Sequence, residues 1–195
     1  MRRLIPTSCI VLALCASGAT GQNSRYDEYF RAYSKRYFGV GFDWKVFKAQ
    51  ALTESNLSPD ARSWAGAIGI MQLLPSTFQE IASKNPEFTS VDDPRWNIAA
   101  GISYDRRLWN SWKEIPHNAE RLNFVFGSYN AGRSTILRAQ EKAKTDSLNH
   151  QAWSAIETVA PRVNRWRSAE TLEYVRRIDQ HYTKISKPRL PAGAK

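Results

Sequence analysis

Apolar residues recur at helical spacing in one segment of this chain after another, and this periodicity restricts the possible folds more than any other feature. The segments with this spacing, or with helix-start and helix-stop residues, are 26–38, 43–55, 75–82, 97–112, 120–131, 135–142, 152–159 and 168–184. No segment shows the alternation of apolar and polar residues that is typical of a half-buried strand. The sequence therefore predicts one all-α domain, with at most a small β-hairpin around residues 66–69.

Several residues predict where these helices begin and end. Asp43 is a good N-cap for the second helix, because its carboxylate can accept a hydrogen bond from a free backbone N–H. Pro75 suits the first turn of the next helix, and Gly132 suits the position just after a helix end.

The amino terminus has the composition of a secretory signal peptide. Two arginines precede a short apolar run at residues 9–16, and small residues follow as far as Gly21. We therefore expect residues 1–21 to be a signal peptide that is cleaved after Gly18, Ala19 or Gly21. The mature protein would then be periplasmic or secreted.

Both cysteines of the chain, Cys9 and Cys15, lie in this segment. The mature chain would therefore have neither a disulfide nor a reactive thiol. Cys15 follows Leu12-Ala13-Leu14, which is a loose match to the lipid-attachment signal of bacterial lipoproteins. Lipidation at Cys15, giving an outer-membrane lipoprotein, is the alternative to release as a free protein.

The chain is strongly basic, with a formal net charge of +10 that falls to +8 if the two signal-peptide arginines are removed. In an exported protein this charge favours weak association with anionic envelope surfaces, although ordinary solubility explains it equally well. The export signal argues against a nucleic-acid partner. We also expect a monomer.

The sequence argues against several common chemistries and leaves carboxylate chemistry. His117, His150 and His181 are far apart and lack the spacing of metal ligands. The chain has neither a glycine-rich loop for phosphate nor the Gly-x-Ser-x-Gly turn of serine hydrolases. We therefore expect no metal and no cofactor.

Glu54 is the most unusual acid in the chain. It continues the apolar stripe of Trp44, Phe47 and Ala51, so its carboxyl group is expected to face poorly solvated surroundings. It also lies in the last turn of its helix, where the helix dipole disfavours an anion. Both effects raise a pKa, and an acid that is protonated near pH 7 can donate its proton to a glycosidic oxygen. The alternative is a glutamate that turns out into solvent at a helix end.

Four segments form an ordered set between about residues 42 and 182. They are Glu54-Ser55, then Ser63 with Gly66-Ala67-Ile68-Gly69-Ile70-Met71-Gln72-Leu73 and Pro75-Ser76-Thr77, then Ser128-Tyr129-Asn130-Ala131-Gly132, and finally Glu170-Thr171 with Tyr174-Val175. Together these segments resemble the lytic transglycosylase family. Three departures from the family pattern are Ser128 for alanine, Ile70 for leucine, and Ser168-Ala169 where a proline usually precedes the last motif.

The resemblance implies a lysozyme-like helical domain with a substrate groove, and it assigns roles to individual residues. Glu54 is implied to be the catalytic acid and then the base. The residues implied to contact or position the substrate are Ser55, Ser63, Met71, Gln72, Tyr129, Asn130, Glu170 and Tyr174, of which Met71 is better suited to packing. On this basis residues 43–184 are the catalytic domain, residues 22–42 are an N-terminal helical extension, and residues 185–195 are a disordered tail.

The same residues also allow less specific roles. Tyr129 continues the apolar stripe of its helix and could be a core tyrosine, while Asn130 could help to end that helix. Glu170 and Tyr174 are spaced i, i+4 on a face distinct from the apolar stripe of the last helix. That placement favours a function outside the core.

The implied reaction needs only one carboxyl group, whereas most glycosidases use two. Glu54 would protonate the oxygen between N-acetylmuramic acid and N-acetylglucosamine of peptidoglycan glycan strands. It would then remove the proton from the sugar's C6 hydroxyl group, which closes a 1,6-anhydro ring. Two alternatives remain: a hydrolytic muramidase of the goose-type lysozyme kind, and a non-catalytic cell-wall-binding module.

Overall fold

The computed structural model describes residues 24–187, which form a bundle of α-helices. The helices are α1 (Asp27–Phe38), α2 (Lys45–Ser55), α3 (Pro75–Ala82), α4 (Pro94–Ser111), α5 (Asn118–Ala131), α6 (Arg133–Thr145), α7 (Trp153–Val159) and α8 (Ser168–Ser186), with a short 3-10 helix, Ala160–Arg162, after α7. Within residues 24–187 there is no β-sheet, which confirms the predicted all-α class. The predicted signal peptide and Cys15 lie outside the described residues, as does the predicted tail beyond Lys187.

The helix that carries Glu54 runs through the middle of the domain. Seven consecutive residues of α2, 46–52, are buried, including the polar Lys48 and Gln50. Lys48 forms an ion pair with Asp27 of α1, and α8 packs along the length of α2. Because α2 is enclosed by its neighbours, its last turn is held in a fixed position, and Glu54 lies in that turn.

Large apolar side chains fill the space between the helices. The largest of those that are fully buried are Trp112, Phe30, Phe47, Phe124, Phe126, Ile70, Met71, Ile98, Ile102, Ile115, Ile136 and Ile156. Each such side chain contributes about 1.5–3 kcal/mol through burial, so packing is the main source of stability. The departure at Ser128 has a structural reason, because its buried hydroxyl group accepts a hydrogen bond from Trp112 Nε1 at 2.9 Å.

The helix-end signals in the sequence correctly mark several boundaries. Asp43 Oδ1 accepts a hydrogen bond from Lys45 N, the first residue of α2, at 3.0 Å, although the N-cap position is Trp44, one residue after the predicted cap. Pro75 is the first residue of α3, and Gly132 follows the end of α5 with φ 80. α8 continues to Ser186, past the predicted end at residue 184.

The start of α4 and the end of α6, at Thr145 rather than residue 142, each differ from the sequence prediction by three residues. α4 begins at Pro94 rather than at residue 97. Asp93 Oδ1 accepts a hydrogen bond from Arg95 N at 2.8 Å, and proline at the first helical position needs no hydrogen-bond partner. The Asp-Pro pair therefore starts the helix three residues before the predicted segment 97–112.

The segment of residues 56–74, called the 56–74 loop below, connects α2 to α3. The hairpin that the sequence allowed is reduced to two isolated bridges, between Arg62 and Ile68 and between Ile68 and Leu73. Gly69 has φ 77, and a Cβ atom at this position would lie only 2.6 Å from Asn97 Nδ2. Glycine is therefore required here, both for its backbone conformation and for the close approach of the loop to α4.

The predicted N-terminal extension contributes to the same core as the rest of the domain. α1 packs against α4, and its Phe30 is fully buried. The Tyr33 hydroxyl group of α1 accepts a hydrogen bond from Arg95 Nε at 2.9 Å. The domain boundary at residue 43 stays a prediction.

Candidate active site

Glu54 lies at the carboxyl end of α2, where the chain leaves the helix through two residues with left-handed backbone conformation, Asn56 and Leu57. Its side chain is partly buried. The hydroxyl group of Tyr174, in α8, donates a hydrogen bond to Glu54 Oε1 at 2.5 Å. Packing of α8 along α2 thus joins two residues that are far apart in the chain.

The surroundings of Glu54 favour its protonated form. Burial raises the pKa of Glu54 from its ordinary value of 4.5 to about 7. The hydrogen bond from Tyr174 and the positive charge of Arg177 act in the opposite direction, and burial outweighs both. At neutral pH a large fraction of molecules therefore carries a carboxylic acid at this position, which is the state that a proton donor requires.

Two tyrosines near Glu54 are neutral, and each donates a hydrogen bond. Burial, followed by the nearby charge of Glu54, raises the pKa of Tyr174 and of Tyr129 well above the ordinary value of 10.0. The Tyr129 hydroxyl group donates a hydrogen bond to Met71 O at 2.7 Å, and its ring meets Tyr104 edge-on at 5.2 Å. Tyr129 therefore fixes α5 to the 56–74 loop beside the acid, a more specific role than core packing alone.

Ser55 and Ser63 stabilise the backbone next to Glu54. Ser55 Oγ donates a hydrogen bond to Ile70 O at 2.8 Å, which joins the end of α2 to the 56–74 loop. Ser63 Oγ accepts a hydrogen bond from Ala67 N at 3.0 Å, within a turn of the same loop. In this structure both hydroxyl groups shape the loop.

Gln72 and Met71 are neighbours in the 56–74 loop and are held there by different contacts. Gln72 has φ 46, and its Nε2 atom donates hydrogen bonds to Gly69 O at 2.9 Å and to Ala61 O at 3.3 Å. Met71 is fully buried and packs against Gly101, where an added Cβ atom would lie 2.8 Å from the Met71 side chain. The packing role expected for Met71 agrees with this placement.

Asn130 belongs to a chain of hydrogen bonds along one wall of the site. Thr171 Oγ1 donates to Asn130 Oδ1 at 2.8 Å and accepts from Trp166 Nε1 at 3.0 Å. These side chains border a cleft of about 240 Å³, which is lined by Asn130, Ala131, Thr135, Arg165, Trp166, Arg167, Glu170 and Thr171. Thr171 lies one helical turn before Tyr174, the partner of Glu54, although neither Tyr174 nor Glu54 lines the cleft itself.

The structure separates the two members of the predicted Glu170 and Tyr174 pair. Glu170 is exposed at the rim of the cleft, where its carboxylate lies 3.5 Å from Arg167. Tyr174 is buried and packs in the core while its hydroxyl group contacts Glu54. The interpretation that both side chains project outside the core is therefore wrong for Tyr174.

Sequence reasoning missed a second buried acid, Asp105. Its side chain in α4 is fully buried, and Asp105 Oδ1 accepts a hydrogen bond from Gln50 Nε2 at 3.3 Å. Asp105 continues the apolar stripe of Ile98 and Ile102, so the reasoning that selected Glu54 would also have found it. Trp166 was missed as well, and Thr171, although part of the last of the four segments, was given no role.

One cavity of the described residues lies near the start of α2, and Glu54 does not line it. It has a volume of about 450 Å³ and is formed around Val46, Phe126 and Ile178, with Asp43 and Asp179 among its polar lining. Val46 is more than two helical turns from Glu54 along α2. The carboxyl group with altered proton affinity, rather than cavity size, therefore locates the candidate active site.

Residues 24–187 bring no three His, Cys, Asp or Glu side chains together in an arrangement that could hold a metal ion. Among the same residues, none of the helices combines the length and apolar character that crossing a bilayer requires.

The chain matches known proteins by sequence. The family model described as the transglycosylase SLT domain matches residues 28–152, a range that contains Glu54 and Tyr129 but ends before Tyr174. The chain is 31% identical over 153 residues to membrane-bound lytic murein transglycosylase F of Desulfosudis oleivorans, with 73% of this chain covered. It is 26% identical over 180 residues to the protein of the same name from Pseudomonas putida, with 85% covered. The matches span 33% and 36% of these relatives, so the chain corresponds to about a third of their length.

Two solved structures share the fold. An inactive mutant of lytic transglycosylase Slt from Pseudomonas aeruginosa is similar over 85% of this chain and 25% of its own, with a TM-score of 0.65 and 20% identity. The 70 kDa soluble lytic transglycosylase of Escherichia coli is similar over 82% of this chain and 24% of its own, with a TM-score of 0.58 and 23% identity. At these identities the likeness establishes the lysozyme-like fold alone.

Proposed function

This chain belongs to the transglycosylase SLT domain family, and on that premise we propose that it is a peptidoglycan lytic transglycosylase. It cleaves the β-1,4 bond between N-acetylmuramic acid and N-acetylglucosamine and releases a 1,6-anhydro-muramoyl end. The observation that carries this proposal is the partly buried Glu54 carboxyl group, whose pKa of about 7 leaves it protonated in much of the population at neutral pH.

The reaction uses Glu54 twice. The acid first donates its proton to the oxygen that links the two sugars, and the bond from that oxygen to C1 of the muramoyl residue breaks. The N-acetyl group of the same residue stabilises the positive charge that develops at C1. Glu54, now a carboxylate, accepts the proton of the C6 hydroxyl group as the C6 oxygen bonds to C1. Glu54 is thereby returned to its acid form, and no water is consumed.

A second carboxylate is not needed in this scheme, and the nearest candidate is in the wrong place. Glycosidases that use two carboxyl groups place them on either side of the scissile bond, where both can reach the sugar. Asp105 is fully buried, so it cannot contact a sugar in the groove. The substrate's own acetamido and C6 hydroxyl groups supply the missing functions.

The other site residues orient the substrate and the acid. Tyr174 holds the Glu54 carboxyl group, and Tyr129 and Asn130 form the wall beside it. The remaining predicted substrate contacts act at two places. We assign Glu170 to the rim of the cleft, and to the 56–74 loop and its junction with α2 we assign Ser55, Ser63, Met71 and Gln72. Trp166, next to Thr171, offers a flat surface on which a sugar ring can stack.

The masses of the reaction products test this function. Digestion of purified peptidoglycan with the purified protein should release muropeptides with 1,6-anhydro ends, which are one water lighter than hydrolysed reducing ends. Reducing ends from the first time points onward would instead identify a hydrolytic muramidase. Intact glycan strands would contradict enzymatic activity altogether.

Removing the hydroxyl group of Tyr174 should change the pH dependence of the reaction. The hydrogen bond from Tyr174 lowers the pKa of Glu54, so a Tyr174→Phe variant has a higher Glu54 pKa. Activity should fall by about tenfold at pH 6. The Glu54 carboxylate that forms when the acid donates its proton no longer accepts the hydrogen bond from Tyr174, and a hydrogen bond to a charged group is a strong one. The alkaline limb of the pH–rate profile, where wild-type activity decreases near pH 7, should move to higher pH.

A Tyr182→Phe variant is the matched control for this measurement. Tyr182 also lies on α8 and donates a hydrogen bond to a carboxylate, in this case Asp43 Oδ2 at 2.8 Å. Its pH–rate profile should match that of the wild type. An alkaline limb in Tyr174→Phe that stays in place, or moves to lower pH, would rule out the proposed contact between Tyr174 and the reacting acid.

The location and partners of the protein follow from this function. The substrate is the glycan strand of peptidoglycan, so the protein acts in the cell envelope after export. This location is supported by the signal-like residues 1–21, and the curated relatives are named as membrane-bound enzymes. We also propose a monomer, because all the site residues described above come from one chain.

A further inference from the structure

Two buried oxygen atoms near the active site lack hydrogen-bond partners. Gln50 of α2 and Asp105 of α4 are both fully buried and are joined by the bond from Gln50 Nε2 to Asp105 Oδ1 at 3.3 Å. Gln50 Oε1 and Asp105 Oδ2, the second oxygens of the same two groups, have no partner among the described residues. A buried polar atom without a partner costs about 1–3 kcal/mol, and an unpaired charge costs more.

A single proton would satisfy both atoms. An ionised carboxylate has only hydrogen-bond acceptors, and an amide oxygen is also an acceptor, so these two oxygens cannot bond to each other. A protonated Asp105 has an O–H donor on Oδ2, which can donate to Gln50 Oε1. With the existing bond from Gln50 Nε2, the two groups then form a closed ring of two hydrogen bonds.

We propose that Asp105 is a neutral carboxylic acid paired with Gln50 through two hydrogen bonds, and that this pair is a positioning element for the Glu54 acid. The part concerning Glu54 rests on the proposed function. The pairing itself is a property of the folded protein, whatever reaction the protein catalyses.

The location of the pair explains how it can act on the acid. Gln50 precedes Glu54 by four residues on α2, so the two side chains lie on the same face one turn apart. The pair joins that turn of α2 to α4, which also supports the 56–74 loop through Asn97. The pair therefore fixes α2, the helix that carries Glu54, relative to α4 and the 56–74 loop.

The neutral state of Asp105 also matters for the charge of Glu54. The titratable groups that interact with Asp105 are Glu54 of α2, Tyr129 of α5 and Tyr174 of α8, and the two tyrosines are neutral. Burial raises the pKa of Asp105 well above its ordinary value; it outweighs the hydrogen bond from Gln50, which lowers this pKa, and the charge of Glu54 adds to the increase. An ionised Asp105 would oppose the Glu54 carboxylate that the second step requires, whereas a protonated one does not.

This pairing predicts an unusual dependence of stability on pH. An aspartate in the unfolded chain ionises near about pH 4, whereas the folded protein retains the Asp105 proton to higher pH. The folded state thus binds one more proton, and its stability decreases as the pH rises from about 4 through the raised pKa of Asp105. An Asp105→Asn variant keeps both hydrogen bonds, because its Nδ2 atom can donate to Gln50 Oε1, and it has no proton to lose.

The experiment measures the free energy of unfolding of the wild type and of Asp105→Asn between pH 5 and pH 8. Both proteins are also compared in a Glu54→Gln background, which removes coupling to the acid. The ratio of the wild-type unfolding constant to that of Asp105→Asn should increase with pH, approaching tenfold per pH unit. Asp60→Asn, at an exposed carboxyl group of the 56–74 loop, should give a ratio that is independent of pH.

A ratio for Asp105 that is flat or decreases with pH would overturn the proposal, since Asp105 would then be ionised in the folded protein. In protein that retains Glu54, the Asp105→Asn substitution should leave the alkaline limb of the pH–rate profile in place. A shift of that limb to lower pH would show that a negative charge had been removed, and would also overturn the proposal. If the wild type has no activity on peptidoglycan, the proposed function fails while the stability result still decides the pairing.

Wild-type protein provides a second measurement in case Asp105→Asn does not fold. With ¹³C-labelled aspartate, one carboxyl signal should remain at the chemical shift of the protonated form at pH 7. The signal should persist in an Asp179→Asn variant, which removes the other aspartate whose pKa is raised by burial. If all aspartate signals have the chemical shift of the ionised form at pH 7, the pairing does not exist.

Discussion

A Glu54→Gln variant should lose at least about a thousandfold of its activity on peptidoglycan, because general acid–base catalysis typically contributes 10²–10⁴-fold and this residue acts in both steps. Glutamine can still accept the hydrogen bond from Tyr174, so the geometry of the site should be retained. Only the transferable proton is lost. The measurement is the initial rate of muropeptide release from purified peptidoglycan.

Stability separates a loss of chemistry from a loss of folding in this variant. The folded-state pKa of Glu54 is raised from 4.5 to about 7, so the wild type loses stability as the pH rises between these values. Glu54→Gln lacks this loss, which amounts to at most about 3 kcal/mol, and should be more stable than the wild type at pH 8. Glu141→Gln, at an exposed position on α6, should match the wild type in both rate and stability. If Glu54→Gln clears cell-wall suspensions as fast as the wild type, Glu54 is not the catalytic acid and the proposed mechanism fails.

An Asn97→Ala variant should have the largest effect on stability, with a loss of about 3–5 kcal/mol in the free energy of unfolding. Asn97 Oδ1 accepts a hydrogen bond from Met71 N at 2.7 Å, and its Nδ2 donates to Ile68 O and Val91 O, each at 2.9 Å. The substitution removes all three bonds, although Ile68 O still accepts a hydrogen bond from Leu73 N at 3.0 Å. Chemical denaturation at pH 6 measures the loss.

Activity should fall together with stability in Asn97→Ala, even at temperatures where the variant is folded. Ile70 O and Met71 O of the 56–74 loop hold Ser55 and Tyr129, so a displaced loop misplaces groups on both sides of Glu54. Asn85→Ala is a matched control, because Asn85 makes one side-chain hydrogen bond, to Ile81 O at 2.8 Å. Equal losses in the two variants would refute the idea that Asn97 supports the active-site loop.

The sequence predicts the helices well where strong punctuation surrounds them. Pro75 marks the start of α3, and glycines end α1 and α5. The apolar stripe predicts that α4 starts at residue 97, three residues after its actual start at Pro94. The Asp93-Pro94 signal lies in a polar stretch that has no apolar stripe. Local patterns thus report on local structure and fail where one turn of helix depends on a single cap.

The position of Glu54 was predictable because its helix stripe leads directly to it. The partner of the acid was predictable only by resemblance, since the contact from Tyr174 depends on how α8 packs along α2. Glu170 shows the limit of spacing, because it has the same i, i+4 relation to Tyr174 and yet lies exposed at the cleft rim. Position on one helix face does not specify which neighbouring helix that face meets.

The shape of the 56–74 loop could not be derived from its own residues. Asn97, which follows Met71 by 26 positions, satisfies three backbone groups in and beside the loop. A residue larger than glycine does not fit at position 69, because Asn97 occupies the space that its Cβ atom would need. Loops of this kind are specified by tertiary contacts, which a single sequence does not display.

The central claim is that Glu54 retains its proton near neutral pH, and a direct titration of that carboxyl group tests it. In protein labelled with ¹³C at the glutamate carboxyl carbon, one signal should titrate at about pH 7 and should be missing from the Glu54→Gln spectrum. If the signal that disappears in Glu54→Gln titrates near 4.5 instead, Glu54 is an ordinary solvated carboxylate at pH 7. It would then be unable to act as the proton donor proposed here.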